Sequence, residues 1–83
     1  MRKVLVEVFL PAAAREFDVY IPLESTIREI TRMLAVALED LSTGQFEADG
    51  DVILCDADAE EILNPGNTAG ELHIENGSRL ILL

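Results

Sequence analysis

The sequence predicts a two-layer α+β domain in which a mixed sheet of four to five strands packs on one amphipathic helix. Three observations carry this: two alternating apolar and polar runs near the N-terminus, one helical stripe in the middle, and short apolar runs toward the end. A single amphipathic helix needs one sheet face to bury its stripe against, and a two-layer domain is the solution that supplies it. At 83 residues the chain reads as one domain, 1–83. Such a domain buries somewhat more than roughly 60% of its unfolded-chain surface, so it folds alone with little to spare.

Val4, Val6, Val8 and Leu10 share one face at period two, which is the strand signal. Pro11 and three alanines interrupt it, and Glu16 to Ile21 then alternate with Phe17, Val19 and Ile21 inward, so the two runs form an antiparallel hairpin. Pro22 closes the second strand. Thr26 followed by Glu29 has the spacing of a capping box, just ahead of Ile27, Ile30, Leu34, Ala37, Leu38 and Leu41. These apolar residues make one stripe on a helix of about four turns, with Gly44 as its stop. After a polar stretch ending in the turn signal Asp49-Gly50-Asp51, Val52 to Cys55 reads as a short apolar strand and Ile62-Leu63 as an edge strand. Asn64-Pro65-Gly66-Asn67 carries Pro and Gly where a type II turn wants them. Thr68 to Ile74 reads as a short helical or 3₁₀ turn, and Asn76-Gly77 precedes a final strand, Arg79 to Leu83. That strand lies beside the first only by a crossover past the helix, which makes the pair parallel.

Composition narrows the function classes. Sixteen acidic residues against six basic ones give a net charge of −10, a field that repels phosphate backbones and anionic lipid, so nucleic acid is not expected as a partner. At 49% hydrophobic residues the chain is too apolar for disorder. No stretch reaches the ~18 consecutive apolar residues of a spanning helix, and Met1-Arg2-Lys3 leads into alternation rather than an apolar leader. The single Cys55 forms no internal disulfide and too small a thiolate set for a cysteine zinc site, in keeping with a reduced, cytoplasmic setting without membrane insertion.

The element order and three stretches resemble the ubiquitin-like β-grasp family. The hairpin leading into Pro22-Leu23-Glu24-Ser25-Thr26-Ile27-Arg28-Glu29-Ile30 is similar to ubiquitin's passage from its second strand through a Thr cap into its helix. A short apolar strand followed by a clipped edge strand ending at Leu63 is the second likeness. The third is the closing cadence from Thr68 to Leu82, in which Ile74-Glu75-Asn76-Gly77-Ser78-Arg79-Leu80-Ile81-Leu82 resembles the small acidic YukD-like members associated with type VII secretion loci. The Ala12-Ala13-Ala14 loop and the acidic run Asp56 to Glu61 depart from that subfamily. The resemblance implies that conjugated modifiers and sulfur carriers of this fold act through a flexible tail ending in Gly-Gly. Taken as the whole gene product, this chain has no such tail, because Leu82-Leu83 falls where the last strand is still pairing.

No enzymatic set emerges from the residues. His73 is the only histidine and has no partner within sight in the sequence. Cys55 sits inside an apolar run, where it reads as a small and poorly reactive core residue. Asp56, Asp58 and Glu60 alternate like the opening of a calcium loop, but glycine is absent at the sixth position and Asn67 stands where the twelfth needs glutamate, so a solvated acidic loop is the expectation. Neither a phosphate-cradling glycine loop nor a Ser/His/Asp set occurs. No catalytic residue, cofactor or metal is therefore expected.

What is left is surface. With Val4, Val6 and Val8 facing the helix, Lys3, Leu5, Glu7 and Phe9 face away from it. By the same alternation Arg79, Ile81 and Leu83 point outward. The expected protein-binding group is Leu5, Ile81 and Leu83, joined by Tyr20 and one residue of the Val52 to Cys55 strand, an exposed apolar cluster framed by charge. The resemblance places ubiquitin's own recognition surface on this face. The expected function is thus a non-conjugating protein-interaction module, an accessory of a bacterial secretion machine that binds its components or self-associates. The competing expectations are a modifier or sulfur carrier charged at its C-terminus, and a regulatory β-grasp domain of a larger protein.

Overall fold

A computed structural model describes residues 2–41 and 52–83 of the chain. Strand β1 (Lys3–Leu10) pairs antiparallel with β2 (Arg15–Pro22), helix α1 (Ile27–Leu41) follows, and β3 (Leu54–Asp56), β4 (Glu61–Ile62) and β5 (Arg79–Leu82) complete the fold. The sheet order is β2-β1-β5-β3-β4, with β1 and β5 parallel and every other neighbouring pair antiparallel. This is the mixed sheet on one helix that the sequence predicts. The second strand is longer than the alternation suggests, because Arg15 pairs with Leu10 and Pro22 with Lys3. The four residues between the hairpin strands form a 3₁₀ turn over Pro11–Ala13 closed by Ala14 at φ 52°, whose N–H donates to the Pro11 carbonyl.

Helix α1 begins as the sequence predicts. The Thr26 N–H donates to the Glu29 carboxylate at 2.8 Å, and the Glu29 N–H returns to the Thr26 hydroxyl at 3.2 Å. The next free donors of the first turn are also taken: Ile27 N–H goes to the Asn67 carbonyl and Arg28 N–H to the Pro65 carbonyl. A helix end needs such partners for its orphan N–H groups, and here the turn at 64–67 docks onto the helix to supply them. Ile27, Ile30, Leu34 and Leu38 are buried on the sheet side. Ala37 is exposed and Ala35 is buried in its place. At 100° per residue both alanines flank the stripe at similar angles, and only the Ala35 flank is closed, by Val52 and Pro65. Gly44 and the Asp49-Gly50-Asp51 turn lie outside the described residues, as does the side chain of Leu41.

The connections correct the sequence reading in detail. Gly66 does not adopt the positive φ that a type II turn requires. Instead the Asn64 side chain accepts the Gly66 N–H at 2.9 Å and the Asn67 N–H closes the turn on the Asn64 carbonyl. Thr68 to Ile74 is a single helical turn with both of its ends capped. Thr68 and Glu71 repeat the reciprocal capping box. His73, at φ 59°, sends its N–H to Gly70, and Ile74 sends its N–H to Ala69, the paired bonds of a Schellman close. Gly77 at φ 88° makes the final turn, and its N–H donates to the Leu5 carbonyl while Asn76 Oδ1 accepts the Leu5 N–H. This loop fixes where β5 starts along β1.

The core is the inner layer of these strands against the helix: Val4, Val6, Val8 and Leu10 from β1, Ile21 from β2, Leu54 from β3, and Leu80 and Leu82 from β5. Phe17 and Val19 pack partly buried at its edge. No buried side-chain polar atom among the described residues lacks a partner.

Candidate docking face

The opposite face of the sheet carries no helix among the described residues, and register determines which outward side chains meet there. Glu7 pairs with Arg79 and Phe9 with Ile81 across the parallel β1–β5 ladder. Ile81 pairs in turn with Cys55, and Cys55 with Ile62. One row across the sheet therefore runs Phe9, Ile81, Cys55, Ile62. The next row along the strands is Leu83 beside Ile53, which exchange both backbone hydrogen bonds at 2.9 and 3.1 Å. Phe9, Ile53, Ile62 and Leu83 are exposed, and Ile81 and Cys55 half-buried between them.

Leu5 and Tyr20 also point outward and are paired to each other, but they do not join this group. Between them and Phe9 lies the row Asp18, Glu7, Arg79. Arg79 reaches Glu7 at 3.9 Å and Asp58 at 3.7 Å, so a charged bar crosses the face. Phe9 lies four residue steps along the strand from Leu5, about 13 Å at the usual rise. The expected cluster of Leu5, Tyr20, Ile81 and Leu83 is thus split: Ile81 and Leu83 stand together, and Leu5 and Tyr20 form a separate apolar pair over a shallow groove of about 470 Å³ lined also by Lys3, Asp18, Asn76 and Gly77.

Two residues missing from the sequence-derived site sit beside it, Phe9 and Ile62, while the strand Val52 to Cys55, expected to give one residue, brings both Ile53 and Cys55 to this face. The alternation marked Phe9 as outward, but only the register sets it beside Ile81. Cys55 is not a core residue. Its neighbour Leu54 takes the inward position, which turns the thiol onto the open face between Ile81 and Ile62.

The acidic loop between β3 and β4 is a capped turn. The Asp56 carboxylate accepts the N–H groups of Asp58 and Ala59 at 2.9 and 3.1 Å, and Glu60 follows at φ 56°. Among the described residues no cluster of three or more His, Cys, Asp or Glu side chains is placed to hold a metal. No described helix is long and apolar enough to cross a membrane. The arrangement suits burial of apolar area against another surface, with Glu16 beside Phe9 and the acidic loop supplying a negative rim.

Comparison with known proteins agrees with this architecture. The family described as "WXG100 protein secretion system (Wss), protein YukD" matches residues 4–82. Among solved structures, the EccD5 ubiquitin-like domain from Mycobacterium xenopi superposes with a TM-score of 0.74 at 21% identity, covering 100% of this chain and 94% of that one. The ubiquitin-like domain of the Mycobacterium tuberculosis type VII secretion system protein ECCD1 gives 0.68 at 17% identity, covering 100% and 99%. The ubiquitin-like domain of Plasmodium falciparum Dsk2 gives 0.73 at 14% identity, covering 98% and 96%. No curated protein sequence matches. At these identities the solved structures establish the ubiquitin-like β-grasp fold, and the family match over nearly all of the chain establishes more: the chain belongs to the YukD family of WXG100 secretion-system proteins.

Proposed function

We propose that the chain is a non-conjugating docking module of a bacterial type VII secretion machine, working in the cytoplasm by binding a protein partner on its open sheet face. The observation that carries this is the contiguous group Phe9, Ile81, Cys55, Ile62, Leu83 and Ile53 on a face that no element among the described residues covers. Exposed apolar surface rimmed by charge marks an interaction site. The partner would bury apolar anchors there and meet the acidic rim with basic residues, which orient the approach and raise the on-rate. Membership of a secretion-system family and the likeness to EccD domains support the setting. Leu83 is held in the sheet by its pairing with Ile53, which keeps its side chain on the proposed docking face.

The test is affinity capture from the native host with three equally folded baits: wild type, F9S/I81S and L5S/Y20S. Loss of a partner with F9S/I81S and its retention with L5S/Y20S is the expected result. Identical partner lists for all three would sink the docking face, and loss with L5S/Y20S alone would move it across the Glu7–Arg79 bar. Light scattering over a range of concentrations decides whether a second copy is the occupant, and the mass of the native protein decides whether a Gly-Gly end exists.

A further inference from the structure

A second surface lies on the helical layer, away from the open sheet face. Arg28, Thr31, Arg32, Ala35 and Val36 of α1 line a groove of about 360 Å³ whose far wall is Val52 and Pro65. Two of the chain's six basic residues meet here one helical turn apart. At that spacing like charges repel. Arg79 pairs with Glu7 and Asp58, whereas the Arg28 and Arg32 side chains make no ion pair or hydrogen bond among the described residues, although acidic residues outnumber basic ones sixteen to six. Both are exposed, as is Val36 at 61%, while Ala35 forms a buried floor. The Thr31 hydroxyl is spent on the Ile27 carbonyl at 2.7 Å. The first-turn N–H groups are spent on Thr26, Pro65 and Asn67. Binding chemistry in the groove therefore resides in two guanidinium forks, unpaired among the described residues, beside an apolar wall.

We infer that this groove binds a short acidic segment of a partner protein, its carboxylates on Arg28 and Arg32 and an apolar side chain against Val36 and Val52. Guanidinium forks match carboxylates in a bidentate manner. The groove admits one or two side chains, and the net charge of −10 repels a long polyanion far more than a peptide with two or three carboxylates. This site is independent of the sheet-face reading. With both in place the domain would bridge two partners, one on each layer.

The test is a titration of ¹⁵N-labelled protein with a synthetic octapeptide carrying three carboxylates, acetyl-Ser-Glu-Leu-Ser-Glu-Leu-Glu-Ser-amide, at low salt. Saturable shifts of the amides of residues 28–36, 52, 53 and 66 are expected. R28Q/R32Q, which alters only exposed side chains, should bind about tenfold more weakly, and F9S/I81S should bind as wild type does. Shifts centred on β5, no saturable shift at millimolar peptide, or unchanged binding by R28Q/R32Q would overturn the assignment. A twelve-residue oligothymidine giving the same shifts at lower concentration would reassign the pair to phosphate and overturn it equally.

Discussion

Leu82 and Leu83 are the same residue type one peptide bond apart, yet they belong to different parts of the molecule. Leu82 is 0% exposed beneath the helix, and Leu83 is 54% exposed on the open face. The pleat alone produces this difference, because successive side chains of a strand point to opposite sides. The same alternation divides Leu80 from Ile81 and Leu54 from Cys55. On one side apolar residues are held by packing. On the other they stand exposed or half-buried, and on the docking reading proposed above their identity answers to binding rather than to folding. The two sides are therefore distinguished by what a substitution does to stability.

The largest effect expected from breaking this comparison is Leu82→Ala. Truncating a fully buried leucine removes transfer energy and leaves a cavity, at a cost of about 3 kcal/mol. In a domain this small that lowers the melting temperature by roughly 12–24 °C. Leu83→Ala should change stability by less than about 1 kcal/mol, since much of that side chain is already in water. Thermal melts by circular dichroism compare the pair. Equal losses would mean that Leu83 is buried in solution, for instance by a second copy, and the dilution dependence of the melt would then reveal it.

Much of this division could be read from the sequence. Alternation in Lys3 to Leu10 assigns its inward and outward sets correctly, and Thr26 with Glu29 locates the helix start to the residue. These signals are local, so no partner element is needed to interpret them. The docking face was less legible, because it depends on which rung of β1 meets which rung of β5. That register is set by Asn76 and Gly77 clasping the backbone of Leu5, 71 residues earlier in the chain. Alternation says that Leu5, Phe9 and Ile81 all point outward and is silent on which are neighbours. For Cys55 the strand is three residues long, too short for a period to show its facing. Ala35 and Ala37 occupy equivalent flanks of the helix stripe, and only the surrounding fold chooses between them.

A smaller effect tests what makes the inner face inner. The helix covers that face, and its first turn is held by the Thr26–Glu29 box, so Thr26→Ala should destabilise the domain by about 1 kcal/mol at neutral pH. The backbone N–H and hydroxyl of Thr26 bind the Glu29 carboxylate and hold its pKa below the ordinary glutamate value. A carboxylate with a depressed folded pKa contributes stability above its unfolded pKa and loses it as pH falls through the folded one. Thr26→Ala keeps the backbone N–H, the larger cause of the depression, and removes only the hydroxyl's share, so the gap between wild type and Thr26→Ala should be widest near neutrality and narrow slightly below about pH 4. Melts at pH 7 and pH 3 check this. A gap of constant size would leave the hydroxyl-to-Glu29 N–H bond as the whole of the cap.

The smallest effect concerns the turn that leads into β5. His73 occupies the left-handed position that closes the Thr68–Ile74 turn, at φ 59°. A residue with a Cβ pays about 1–2 kcal/mol there. Glycine avoids that strain but has more freedom to lose on folding, about 0.4–1 kcal/mol. His73→Gly should accordingly stabilise the domain by roughly 0.5–1 kcal/mol. Its imidazole is exposed, so no buried contact is lost. Because the turn lies upstream of the Asn76-Gly77 clasp, the substitution should leave the register of β5 and the sheet-face partner unchanged. If partner capture weakens although the melt rises, the imidazole itself touches the partner, and the docking surface extends beyond the strands to the turn that feeds them.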